Sequence, residues 1–193
     1  MTLSLSAGRP ELGALDVPLL VVALGAAAPL DDNLRPLDAT LGGALARTLQ
    51  RRDFRGARDE TLHLAGAATG PRRLLLIGLG TAADRSGALR RAGAIAARQG
   101  GKMGAGSLAF YAGALDAAET EALAVGLAAG AWDYTDTKTP PPADERRAPL
   151  ASAQILGADA AGLAGGVAIA EGHGLARTLG MMPGNLCTPD FLA

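Results

Sequence analysis

The sequence predicts an α/β fold, with a mixed, mostly parallel sheet and helices on both faces. Three observations carry this expectation. Leu74, Leu75, Leu76, Ile77 and, past Gly78, Leu79 form a short apolar run that follows Arg72–Arg73 and closes at Gly80. Such a run fits a strand buried on both faces. The segment from Asp84 to Gln99 directly after it reads as a helix, and a buried strand running into a helix is the central unit of an α/β domain. Finally, the segments along the chain follow the order β β α β β α β α β α. Strands separated by helices imply parallel neighbours under helical layers.

Taken in order, Thr2–Ala7 alternates polar and apolar residues, as a half-exposed strand should, and Gly8-Arg9-Pro10 stops it. Val17–Leu24 is a second strand of the buried type, with Pro18 tolerable at its start. After a turn-rich loop from Gly25 to Pro36, Asp38 fits the N-cap of a helix through about Arg52, on which Leu41, Leu45 and Leu49 form a stripe. Gly42-Gly43 inside that helix costs roughly 1 kcal/mol per glycine against alanine, which suggests close packing there. Asp53–Glu60 is a polar connection, and Thr61–Ala65 is a short strand able to form a hairpin with the central one. Gly100–Gly106 reads as a glycine-rich loop and Ser107–Tyr111 as a strand. Asp116, with Glu119 in capping-box register, opens a helix through Tyr134. Thr135–Arg147 contains three consecutive prolines and reads as an exposed loop. A strand within Ala148–Leu156 and a helix from Asp159 to about Leu179 complete the series.

Composition narrows the function classes. The 193 residues suit one large domain, or one domain and the start of another. Hydrophobic residues make up 49% and aromatics only 3%, so the core is built from small aliphatic side chains that let elements approach closely. The net charge of −1 provides no global field for nucleic acid or an anionic membrane. Basic pairs occur at Arg51–Arg52, Arg72–Arg73, Arg90–Arg91 and Arg146–Arg147, without interleaved aromatics, and read as solvated surface. A single cysteine, Cys187, excludes an internal disulfide framework and fits a reducing compartment. The first charge is Arg9 with no apolar stretch after a basic start, and the longest apolar run, Val17 to Leu30, is interrupted by Pro18, Gly25 and Pro29. The expectation is a soluble cytoplasmic protein.

Local motifs point to little chemistry. Gly78-Leu79-Gly80-Thr81-Ala82-Ala83 matches G-x-G-x-x-A between a strand and a helix, the pattern that lets a pyrophosphate approach a helix N-terminus. No acid ends the next strand, since Asp116 comes only after Gly113, and an ordinary strand–turn–helix corner explains the glycines equally. Lys102 is not followed by the Ser or Thr of a P-loop. His63 and His173 lie on separate elements, with no H-E-x-x-H and no paired cysteine, and read as structural. Cys187 lacks a local catalytic signature. Trp132 and Tyr134, at a helix end, read as core or interface.

The last residues are more specific. Glu171–Ala193 reads EGHGLARTLGMMPGNLCTPDFLA. It resembles the segment of the leucyl aminopeptidase family (cytosol aminopeptidases, peptidase family M17) that joins the N-terminal domain to the catalytic domain. Ala176, Arg177, Leu179, Pro183, Asn185, Thr188, Pro189, Leu192 and Ala193 match the family pattern, while Met181 and Thr178 depart from it. Gly42–Leu45, Asp53–Gly56, Glu60–Leu62, the central strand and Ala88–Arg98 extend the resemblance over nearly the whole chain.

The resemblance implies a macro-domain-like N-terminal α/β domain over residues 1–170, then a linker helix and the start of an absent catalytic domain over 171–193. It implies a parent enzyme that releases N-terminal amino acids from peptides, uses two divalent ions, manganese or zinc, in its catalytic domain, and assembles as a hexamer. The family's N-T-D-A-E-G-R-L motif does not occur here, so no catalytic, cofactor-binding or metal residue is assigned to this chain, which is expected to stop before the catalytic domain. Two alternatives stand beside this reading. One is a free-standing macro-like module holding ADP-ribose or another nucleotide near Gly78–Ala83. The other is an assembly or regulatory domain acting through its Ala/Gly-rich last helix.

Overall fold

The structure is a computed structural model that describes residues 3–67, 69–81, 83–188 and 191. Six strands form one sheet: β1 (Ser4–Gly8), β2 (Leu20–Gly25), β3 (Thr61–Ala65), β4 (Arg73–Gly80), β5 (Ser107–Tyr111) and β6 (Ser152–Leu156). Their order is β1-β6-β5-β2-β4-β3. All neighbours run parallel except β3, which pairs antiparallel with β4 as the expected hairpin, Leu62 opposite Leu76. The helices are α1 (Leu34–Thr40), α2 (Ala44–Gln50), α3 (Arg85–Met103), α4 (Ala117–Ala131) and α5 (Ala160–Met181).

The central strands are buried on both faces, because each is sandwiched between helical layers. On one face Val21, Ile77, Phe110 and Ile155 pack against Leu89, Ala92, Leu123 and Leu127 of α3 and α4. On the other, Leu20, Val22, Leu76 and Tyr111 lie under Leu34, Leu37, Leu45 and Phe54. The fold is therefore the expected mixed, mostly parallel α/β sheet with helices on both faces. Small residues set the helix spacing. A β-carbon at Gly126 of α4 would run into the Arg90 carbonyl of α3, so these helices meet backbone to backbone.

Two sequence expectations change. The helix expected over 38–52 is two helices, because Gly42 and Gly43 both take left-handed backbone angles, φ 60° and 77°, which only glycine adopts without cost. Asp38 is then not an N-cap of its own helix. Its Oδ1 accepts from the Ala46 N–H at 3.0 Å, so it caps α2 from α1. The glycine-rich loop expected over Gly100–Gly106 begins later: α3 continues to Met103 and ends where Gly104 turns left-handed at φ 63°, the usual helix-ending glycine. The proline-containing segment 135–147 is an exposed loop without helix or strand, as expected.

Candidate functional site: the strand-end crevice and the outer helix

Chemistry in open α/β sheets is usually found beyond the C-terminal strand ends, where consecutive connections leave over opposite faces. Here that place lies over the ends of β2, β4 and β5. A cavity of about 250 Å³ there is lined by Gly25, Asp31, Gly80, Arg85, Tyr111 and Gly113, among others. The Tyr111 hydroxyl donates to Asp31 Oδ2 at 2.6 Å and accepts from Asn33 Nδ2 at 3.0 Å. The other Asp31 oxygen accepts from the Leu34 N–H at 2.9 Å. Arg85 reaches both carboxylate oxygens of Glu119 at 2.9 Å and the Ala112 carbonyl at 2.6 Å. These polar groups are engaged with one another, and they tie the 31–34 loop and the α3–α4 pair to the strand ends.

Burial pushes the Tyr111 phenol up to about 12, and the bond to the Asp31 carboxylate adds to this while Asn33 opposes it. A phenol raised above its unfolded value stabilises the fold fully below pH 10, and that contribution disappears as pH rises from 10 through 12. Subtracting the tyrosinate absorbance titration of Tyr111→Phe from that of the unaltered chain should leave one transition with a midpoint near 12. A difference transition at 10 would show that Tyr111 is neither buried nor bonded to Asp31 as described.

The nucleotide-like corner is occupied by the chain itself. A β-carbon at Gly78 would run into the Ala57 carbonyl, and one at Gly80 would lie 3.2 Å from Arg58 Cβ. The glycines thus admit the 56–58 segment. Ala82, within the G-x-G-x-x-A match, lies outside the described residues. The helix N-termini are filled as well: Asp84, Asp116 and Asp159 each accept a backbone N–H of the first turn of α3, α4 or α5 at 2.8 Å. A carboxylate already sits where a phosphate would gain from the helix dipole.

The second feature is α5. Its first half is pressed onto α4: a β-carbon at Gly162 would meet the Ala117 carbonyl, and one at Gly166 would lie 2.6 Å from Ala124 Cβ. Its second half and the following tail are largely uncovered, with Leu175 62% exposed, Met181 54% and Phe191 56%. Ala176, Arg177 and Leu179 of the resemblance lie in α5, and Pro183, Asn185 and Thr188 in the tail; Pro189, Leu192 and Ala193 are outside the described residues. His63 is on β3 and His173 on α5, and Cys187 is a partly buried free thiol in the tail. Among the described residues, no three His, Cys, Asp or Glu side chains converge on a possible metal position, and no helix is long and apolar enough to cross a membrane.

The family model described as the cytosol aminopeptidase family, N-terminal domain, matches residues 21–141. The chain belongs to the cytosol aminopeptidase family. Its cytosol aminopeptidase relatives include a probable cytosol aminopeptidase of Alkalilimnicola ehrlichii, 31% identical over 191 residues, covering 91% of this chain and 38% of the relative. Another, from Stenotrophomonas maltophilia, is 38% identical, with 93% and 38% covered. Among solved structures, a variant of tomato leucine aminopeptidase superposes with a TM-score of 0.80 at 23% identity, over 99% of this chain and 40% of that one. The bottromycin maturation enzyme BotP superposes with a TM-score of 0.66 at 21% identity, over 91% and 35%. These likenesses show the shared fold. The chain spans about 38% of the length of the two cytosol aminopeptidases, so it corresponds to an N-terminal domain of proteins that are much longer.

The Tyr111–Asp31–Asn33 and Arg85–Glu119 contacts were not legible in the sequence. Their partners are about 80 and 34 residues apart, and only the strand order brings them together. Glu119 was visible as a capping-box residue, and its carboxylate does accept from the Asp116 N–H; its second partner was not.

Proposed function

We propose that this chain is the non-catalytic N-terminal domain of a metal-dependent leucyl aminopeptidase that releases N-terminal amino acids from peptides. The observation that carries the reading is the uncovered apolar surface of Leu175, Met181, Leu186 and Phe191, in a chain that spans about 38% of its relatives. Among the described residues, the large apolar side chains left exposed all fall between Ile169 and Phe191, and exposed apolar surface concentrated in one stretch marks a contact. On this reading residues 1–170 are the body of the domain, and 171–193 are the linker against which a catalytic domain rests. The catalytic domain would hold the two divalent ions, manganese or zinc, as the family resemblance implies. The whole enzyme would work in the cytoplasm as a homo-oligomer, a hexamer as in the family it resembles.

The same apolar face would suit a pure assembly domain, and one experiment separates the two. Amide hydrogen exchange is compared between this chain and a longer polypeptide that adds a family catalytic domain after residue 193. Exchange within 171–188 should slow at least tenfold in the longer protein, even in its monomeric form. Protection that appears only when copies associate would favour assembly instead, and unchanged exchange would remove the proposed contact. An ADP-ribose or nucleotide role draws no support from the crevice, because its polar groups and the neighbouring helix N-termini are already engaged.

A further inference from the structure

We propose that Arg177 and Trp132 form a clamp that fixes the direction in which the far half of α5 leaves the domain. Arg177 is then a positioning residue for whatever follows the helix. Its relevance to a following catalytic domain rests on the function proposed above; the clamp itself does not.

The two halves of α5 are held differently. At Gly162 and Gly166 the helix touches α4 so closely that no side chain fits, whereas a β-carbon at Gly174 would be 4.0 Å from its nearest neighbour, Trp132 Cδ1. The helices therefore splay. The wedge between them, closed on the sheet side by Leu3 and Leu5, is a cavity of about 350 Å³ walled by Val125, Ala129, Val167 and Ala170, among others. At the open end one side chain bridges it. The Arg177 guanidinium lies 4.0 Å from the centre of the Trp132 ring, and its Nη1 donates to the Ala129 carbonyl at 3.1 Å.

Both contacts fall on the C-terminal end of α4. Trp132 is the residue that ends that helix, and Ala129 is in its last turn, where carbonyls lack helical partners and the dipole favours a cation. Arg suits the position because its flat guanidinium stacks on an indole while still donating in its own plane. Among the described residues this is the one side-chain hydrogen bond from 171–181 to the rest of the fold. Glu171, His173, Leu175 and Ala176 along the same stretch are exposed. Without the clamp, the far half of α5 has only the loose walls of the wedge to hold it.

The test uses this chain, whose single tryptophan is Trp132 itself. Arg177→Met removes the charge and the donors but keeps an unbranched side chain. Arg177 is itself exposed, and an exposed cation–π contact together with the hydrogen bond beside it changes a local opening equilibrium by about fivefold. Amide exchange within 171–181 should therefore rise about fivefold, and acrylamide should quench Trp132 more strongly. Exchange in 160–168 and in the sheet should stay as it was. Arg177→Lys should fall between the two, because it keeps the charge but not the planar stack. Trp132→Leu should give the same local rise in exchange, which keeps the test open if the methionine variant does not fold. Unchanged exchange and quenching in Arg177→Met would overturn the clamp, and so would an equal rise across all elements.

Discussion

Gly78→Ala should destabilise the domain by about 3 kcal/mol, although the residue is small and lies at the end of a strand. The β-carbon would enter the space of the Ala57 carbonyl and approach the Gly56 backbone. That segment cannot simply move aside. The Asp59 N–H donates to the Gly78 carbonyl at 2.9 Å, the Gly78 N–H to Glu60 at 2.8 Å, and the Gly80 N–H to Gly56 at 2.9 Å. Glu60 anchors the same turn by accepting from the Arg55 and Ala57 N–H groups at 3.0 and 2.9 Å. Burial alone would raise the Glu60 carboxyl, but these two bonds and the Arg55 charge outweigh it and hold it below its usual range.

Overpacking costs roughly 1–3 kcal/mol, and each broken hydrogen bond adds about 1 kcal/mol. For a domain of this size, 3 kcal/mol corresponds to a fall in melting temperature of about 6–12 °C. Gly101→Ala serves as the contrast: it lies within α3 with nothing within 4 Å of a β-carbon, and should stabilise by up to about 1 kcal/mol. Equal melting temperatures for the Gly78 and Gly101 variants would show that the 56–60 segment does not sit against β4.

Most of the architecture could be read from the chain because its signals are local. The run from Leu74 to Leu79 is buried on both faces as its continuity implies, and Leu62 and Leu64 alternate with exposed neighbours as a hairpin edge should. Asp84, Asp116 and Asp159 cap the helices that follow them. Misreadings came where glycine has two uses. In sequence Gly42-Gly43 reads as close packing and in the fold is a helix break, while Gly100 and Gly101 read as loop and are helix. Composition cannot separate these uses, because the difference lies in the backbone angle. Gly78 and Gly80 fitted a nucleotide motif and instead make room for the chain's own turn. The contacts of Tyr111, Arg85 and Arg177 join elements far apart in sequence, so they become visible only once the strand order is known.

The largest expected effect concerns activity. The family model that matches this chain is that of the N-terminal domain. The N-T-D-A-E-G-R-L stretch that the resemblance associates with metal binding and water activation does not occur in the sequence. The described residues bring together no alternative set of metal ligands, and the polar groups of the strand-end crevice are committed to one another. A bound divalent ion that polarises a carbonyl and activates a water contributes several kcal/mol to such a hydrolysis, and enzymes typically exceed the uncatalysed rate by at least about a million-fold. The deciding measurement is hydrolysis of a leucine anilide with manganese or zinc added, by the purified 193-residue chain and by the longer polypeptide carrying a family catalytic domain. The chain alone should give no turnover above background, and the longer protein should give metal-dependent turnover. Metal-dependent hydrolysis by the 193-residue chain itself would contradict this.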